Sequence, residues 1–465
     1  MLFNTLTYAA FLPITLCAVW LSPPRWRNHL LVIASYMFYG AWDVRFLGLL
    51  WVSTATDYVI GRRLAEPGTG KSRKRLLLVS VAVNMGILGF FKYFGFFVDS
   101  AAAVLTEIGA HPNLPLLAVA LPVGISFYTF QTLSYTIDVY RGRTEAEHNL
   151  IDFALFVAFF PQLVAGPIER ANRLLPQLRN RDRRPTGLQV EEGIYLIIFG
   201  LLKKVVIADT MAPIVDQVYR EGRLASGAML LVGVYAFALQ IYGDFSGYTD
   251  IARGSARLLG VDLMVNFNQP YLAWSITEFW RRWHISLSAW LRDYIYIPLG
   301  GNRRGEARTY ANLMATMLIG GLWHGAGWTF VVWGGLHGLA LAIHRRFRAS
   351  RPPSGAHRFV LTMSTFHVVA LLWVFFRSPD FAMVTTYLSR LGRWAAGPVD
   401  SSQAALVAIA LILVYALDRF QEETTNQVPV MNLTPTARGA MVGAAAVGLV
   451  IFGGGATVPF IYFRF

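Results

Sequence analysis

Apolar runs of bilayer length recur from one end of this chain to the other, and that recurrence constrains its fold more than any other feature. A helix needs about 20 mostly apolar residues to span hydrocarbon. Candidates are 5–21, 30–60 (a hairpin turning near Asp43), 76–98, 114–140, 151–165, 194–208, 228–242, 311–343, 359–376, 404–417 and 440–460. Roughly ten to twelve transmembrane or re-entrant segments follow, so the expected fold is an all-α, polytopic integral membrane protein. Hydrophobic residues are 55% of the chain and aromatics 14%, which is far from soluble composition. No Ser/Gly/Pro-rich linker separates soluble modules and no internal repeat is visible. One membrane domain over 1–465 is expected, with N-terminal helices in 1–140, a central part in 141–345 and C-terminal helices in 346–465.

The formal net charge is +14, but the basic residues stand in short loops between apolar runs. That placement argues against nucleic acid as a partner and makes the charges topology signals, with membrane lipid as the surroundings. Arg25–Arg27, Arg62–Arg75, Arg141–Arg143 and Arg179–Arg184 are expected on the cytoplasmic side, whereas 99–113, which has no Lys or Arg, is expected outside. Both flanks of 151–165 are then inside. This run is expected to be re-entrant, with Pro161 and Gly166-Pro167 supplying the breaks. The first apolar run lacks a basic flank and a small-residue cleavage site, so it is read as a retained helix. Cys17 is the single cysteine; it offers no disulfide or Cys-based metal site and is expected to pack.

Between Tyr242 and His337 polar residues become frequent while aromatics persist, a composition suited to lining a cavity. Tyr242 to Asp250 places two carboxylates and two glycines at the end of an apolar helix. A short helix is expected at 251–259, followed by Asn266-Phe-Asn-Gln-Pro270. Non-helical backbone at membrane depth is tolerated only where protein or water satisfies it. The segment 275–294 reads as an amphipathic interfacial helix, with Phe279, Trp283 and Trp290 at headgroup depth and guanidinium groups in water.

Two imidazoles stand in the apolar stretch 317–337, namely His324, in Trp323-His324-Gly325, and His337. An ionisable side chain at membrane depth marks a functional site by default. On one unbroken helix the two would be separated by about 1300° of rotation and about 20 Å of rise. They share a site only if Gly320-Gly321 or Gly325-Ala-Gly327 interrupts the helix. His324 is then the candidate for nucleophilic or proton-transfer chemistry, with His337 supporting it from a following helix. The plain alternative is that each ring only bonds neighbouring backbone. His284, in Trp283-His-Ile-Ser286, could be a solvated side chain at an interface. No metal site is expected, because there is no His-Glu-x-x-His pattern and the positions 284, 324 and 337 suit no usual ligand set. Arg281 and Arg282 follow Glu278 by three and four residues, and either form local ion pairs or face a phosphate-bearing donor. Gly300-Gly-Asn302-Arg-Arg304 has the form of a phosphate-cradling loop without the Gly-Lys-Ser/Thr ending of a nucleotide P-loop.

Five motifs together carry a resemblance: Phe160-Pro-Gln-Leu-Val-Ala-Gly-Pro167, Asp244-Phe-Ser-Gly-Tyr-Thr-Asp250, Phe279-Trp-Arg-Arg-Trp-His-Ile-Ser-Leu-Ser288, Asp293-Tyr-Ile-Tyr-Ile-Pro-Leu-Gly-Gly-Asn302 and Gly320-Gly-Leu-Trp-His-Gly325. The chain resembles the membrane-bound O-acyltransferase family, in particular the bacterial branch that acetylates alginate, cellulose or peptidoglycan and is related to the D-alanyl transfer protein of teichoic acids. The likeness covers most of the chain and thins after about Arg377.

The resemblance implies helices around a central tunnel, with His324 as the catalytic histidine and His284 as a second family histidine on the cytoplasmic approach. It implies acetyl-CoA as donor, with Arg281, Arg282 and Asn302 as donor-binding candidates. The acetyl group would cross a bacterial inner membrane to an extracytoplasmic partner, a serine-hydrolase-like acetyltransferase subunit, and on to a polysaccharide acceptor. Alginate is the first expected polymer, and cellulose and peptidoglycan are the alternatives. His324 could act as general base or as transient acyl carrier. An ion-coupled transporter is the competing class, since broken helices and buried histidines also describe carriers.

Overall fold

A computed structural model of the chain describes all residues except 111–119, 223, 348–352, 425–426, 454–457 and 464–465. Among the described residues the regular structure is helical, with no strand. The chain divides into two compact units, Phe3–Gln189 with Ser255–Leu263, and Val190–Gly254 with Met264–Phe465.

The first unit contains α1 (Leu6–Leu21), α2 (Pro24–Gly40), α3 (Leu47–Ala65), α4 (Gly70–Leu88), α5 (Phe94–Glu107), α6 (Ile125–Tyr140), α7 (Leu150–Ala158), α8 (Phe160–Leu163) and α9 (Ala171–Arg179). The α2–α3 hairpin turns at Asp43, as expected. Its carboxylate accepts the Arg45 N–H at 2.9 Å and pairs with the guanidinium at 2.6 Å, and this hydrogen bonding holds the carboxyl below its usual range. Helices α3, α4 and α6 enclose a polar network: Asp57 accepts from Ser80 at 2.5 Å, Asn84 at 2.8 Å and Thr136 at 3.1 Å. In a bilayer, where apolar burial does not drive helices together, such bonds join them.

The re-entrant reading of 151–165 needed a short, broken segment. Helix α7 has nine residues, about 13 Å of rise, and stops at Phe159, two residues before Pro161. Residues 114–119 of the expected 114–140 span lie outside the described residues, and the helix there begins at Ile125. Most of 99–113 is the end of α5 and not a loop; its last three residues lie outside the described ones. Residues 348–352, in the expected loop 345–358, lie outside them too. Cys17 is exposed on α1 and not packed.

The second unit is built from most of α10 (Gly187–Leu201), a π-helical turn (Leu202–Ala208), α11 (Asp209–Arg220), most of α12 (Gly227–Leu258), α13 (Ile276–Arg282), α14 (Ile285–Leu291), α15 (Glu306–His324), α16 (Trp328–Arg346), α17 (Gly355–Arg377), α18 (Phe381–Gly392), α19 (Ser401–Thr424) and α20 (Pro435–Phe452). Among the described residues five helical stretches are long and apolar enough to cross a bilayer: 70–107, 227–258, 355–377, 401–424 and 435–452. Outward faces of α19 and α20 carry Ile409, Ile412, Val447, Val450 and Ile451, the pattern of helices solvated by lipid.

Two local expectations are corrected. First, the apolar helix does not end between Asp244 and Asp250; α12 runs through both to Leu258 and absorbs the short helix expected at 251–259. Its glycines let backbones touch: a Cβ at Gly247 would sit 2.7 Å from the Gly200 carbonyl oxygen, and one at Gly200 would sit 2.5 Å from that of Gly247. At this range Lys203 and Lys204 reach Asp250 and Asp244 at 2.7 Å each. Carboxylates neutralised in place give the helix no cause to unwind. Second, 275–294 is not one interfacial helix. It breaks at Trp283-His284, and Phe279, Trp283 and Trp290 are buried in protein. Their neighbours are other rings, such as Trp373 at 5.1 Å from Trp283, instead of headgroups.

Candidate active site

Helix α15 ends on His324, and Gly325 and Gly327 are extended before α16 begins at Trp328. The interruption therefore falls at 325–327. Gly320 and Gly321 lie inside α15 and do not break it; Gly321 serves packing, since a Cβ there would be 2.2 Å from the Phe330 carbonyl oxygen, and one at Gly334 would be 2.2 Å from that of Met317. Backbone contact along α15 and α16 fixes the helix end that presents His324.

The His324 ring is buried among Trp323 (5.0 Å between centroids), Trp333 (5.1 Å), Phe376 (5.4 Å) and Tyr462 (5.8 Å). The Tyr462 hydroxyl lies 3.2 Å from His324 Nδ1. A hydrogen-bonded imidazole–hydroxyl pair in a site shielded from water is an arrangement suited to proton transfer.

His284 stands 6.3 Å from His324, centroid to centroid, so the structure brings these two histidines together. It is wholly buried, not solvated, and its φ of 42° is left-handed. A side-chain-bearing residue held there costs roughly 1–3 kcal/mol, and Asn266 helps to hold it. Asn266 Oδ1 accepts the Ser286 N–H at 3.1 Å and the Ser286 hydroxyl at 2.9 Å, and lies 3.2 Å from His284 Nδ1. Because an amide N–H must donate to that oxygen, His284 Nδ1 is also a donor, and in the neutral ring Nε2 is the basic atom. Phe245, at 4.8 Å, covers one edge of the ring.

His337 does not reach His324 directly. Trp333 stands between them, 5.1 Å from one ring and 4.7 Å from the other. Trp280 Nε1 donates to His337 Nδ1 at 3.3 Å, and any support from His337 passes through this packing. A cavity of about 340 Å³ adjoins the site, lined in part by Gly327, Phe330, Phe376, Ile461, Gln240 and Ser378. The last two are buried, and among the described residues Gln240 Oε1 and Ser378 Oγ have no hydrogen-bond partner.

The donor-side candidates are not assembled with the histidines in the same way. Arg282 is bound to Glu278 at 2.9 Å and Glu422 at 3.1 Å, the local ion-pair alternative. Arg281 is 64% exposed and only 3.8 Å from Glu278. Asn302 is exposed in a turn where Gly300 and Gly301 have φ of 116° and 55°. Among the described residues no hydrogen bond joins Asn302 to either arginine. Sequence reasoning missed Tyr462 and singled out Asn266 only as part of a non-helical stretch. The available signal for Tyr462 was the aromatic run Phe460-Ile-Tyr-Phe463 after the last apolar segment.

The membrane-bound O-acyltransferase family model matches residues 141–379, which include both histidines. The chain is 44% identical to the probable alginate O-acetylase AlgI of Azotobacter vinelandii, over 90% of this chain and 85% of that protein. It is 44% identical to the protein of the same name in Pseudomonas aeruginosa (88% and 79%), and 36% identical to the peptidoglycan O-acetyltransferase of Helicobacter pylori (82% and 77%). This chain belongs to the membrane-bound O-acyltransferase family and is a multi-pass membrane acyltransferase.

Proposed function

We propose that the protein takes acetyl from acetyl-CoA at the cytoplasmic face of a bacterial inner membrane and passes it through a tunnel to the outside. There it serves O-acetylation of a polysaccharide, alginate before other polymers. His324 is the proposed catalytic residue, with His284 beside it. The observation that carries this reading is a buried histidine at a helix end, bonded to a hydroxyl and 6.3 Å from a second buried histidine, inside the family match.

The chemistry is an ester exchange. The acetyl C–S bond breaks, a C–O bond to the acceptor forms, and the acceptor's hydroxyl proton passes through the imidazole to the leaving thiolate. Acting instead as a carrier, His324 would hold the acetyl between two half-reactions. Either way the aromatic enclosure restricts water and hence hydrolysis. On the donor side, Arg281 offers a more accessible guanidinium for a phosphate than Arg282 does, and Asn302 offers an exposed amide.

Alginate is favoured by the relatives named for it, and peptidoglycan is the second reading because the Helicobacter relative is 36% identical. Among the described residues the helices are joined by short connections without a carbohydrate groove of domain size, which supports a serine-hydrolase-like partner outside the membrane as the protein that completes the transfer. The test is His324→Ala in purified protein with labelled acetyl-CoA and that partner. Acetyl transfer should fall by about 10²–10⁴-fold with an unchanged melting transition. Retained activity would remove His324 from the reaction.

A further inference from the structure

We propose that Lys204 and Asp244 are positioning residues which clamp the C-terminal segment 458–463 in place and so hold the Tyr462 hydroxyl on His324. The inference rests on the role proposed for His324.

Lys204 lies on the π-helical turn and is 1% exposed. Its ammonium donates and cannot accept: it donates to Asp209 at 2.6 Å and to the Val458 carbonyl oxygen at 2.9 Å, and it forms an ion pair with Asp244 at 2.7 Å. Asp244 spends its other oxygen on the same segment, accepting the Ile461 N–H at 2.6 Å. Two bonds from one buried ion pair thus grip the backbone three residues apart. The residue following Ile461 is Tyr462.

Side chains of the segment complete the grip. Phe460 stacks on Tyr248 at 4.5 Å, and Tyr462 packs on Phe245 at 4.6 Å. Phe245 also covers His284. The segment therefore bears on both histidines, and its register is set by the ion pair. Asp209 and Asp244 already neutralise Lys204, so its bond to Val458 is not needed to balance charge. Its consequence is the placement of segment 458–463.

The test uses full-length protein and compares Lys204→Met, Lys204→Arg and Ile461→Pro. The proline removes the N–H that Asp244 accepts and leaves the Lys204 pairs intact. Both Lys204→Met and Ile461→Pro should speed amide exchange in 458–463 and lower kcat for acetyl transfer by about tenfold or more, the scale of a misplaced reacting group. KM for acetyl-CoA should not change. Ile461→Pro should lower the melting transition less than Lys204→Met, which leaves two carboxylates without their buried cation, and Lys204→Arg should recover most of the rate. Unchanged exchange in 458–463, or full transfer with that segment loosened, would overturn the clamp. Exchange is read without activity, so an active His324→Ala protein would sink the catalytic reading and leave this result standing or failing by itself.

Discussion

His324 and His284 stand 6.3 Å apart and both are buried, yet they are held by opposite means. His284 is held mostly by near neighbours in sequence: Asn266 is 18 residues away and Ser286 two. The loop traps its backbone in a left-handed conformation and bonds its ring. His324 depends in addition on a remote residue. Its helix is fixed by backbone contact with α16 and its ring by Tyr462, 138 residues away. The contrast teaches that one histidine is oriented by local hydrogen bonding, and the other only once Tyr462 has docked.

That contrast can be broken first at Asn266. Asn266→Leu leaves the Ser286 N–H, the Ser286 hydroxyl and His284 Nδ1 without their shared acceptor, at about 1–3 kcal/mol for each buried group left unsatisfied. We expect a lower melting transition and, with the ring displaced, a loss of roughly 10²-fold in transfer. Normal kinetics in this variant would show that His284 needs no orienting acceptor.

Tyr462→Phe sharpens the other half. It deletes one hydrogen bond to His324 and keeps the aromatic packing. A bond worth about 1 kcal/mol corresponds to a loss near fivefold if the hydroxyl only orients the ring. A loss approaching that of His324→Ala would mean that the phenol oxygen takes part in the transfer itself. The two outcomes are separated by single-turnover rates.

The smallest effect is expected on the donor side. Arg281 is exposed and its ion pair is of the kind worth about 0–1 kcal/mol, so Arg281→Gln should leave stability alone. KM for acetyl-CoA should rise about two- to threefold, with salt sensitivity reduced. No change in KM would assign Arg281 to the solvated surface.

Much of this was legible in the chain. Apolar runs announced the helices, the hairpin at Asp43 and the short break before Pro161, because hydrocarbon admits backbone only where its hydrogen bonds close within the protein. His324 was visible as an imidazole in apolar sequence. Where the reading failed, it judged a residue by its neighbours in sequence: Asp244 and Asp250 looked like a helix end, and Trp283 and Trp290 like an interfacial belt. Of the two glycine groups that looked like breaks, Gly325–Gly327 interrupts the helix, whereas Gly321 is a packing surface.

By itself the sequence determined that this is a polytopic helical membrane protein, and it singled out His324 and His284 as candidates, since hydropathy and the cost of burying an ionisable group act residue by residue. Tertiary structure alone decided that Lys204 neutralises Asp244, that Trp333 separates His337 from His324, and that Tyr462 reaches the site. The first and last of these are pairings between groups 40 and 138 residues apart. A buried charge or ring nitrogen must find a partner, but which one it finds depends on how closely the helices pack.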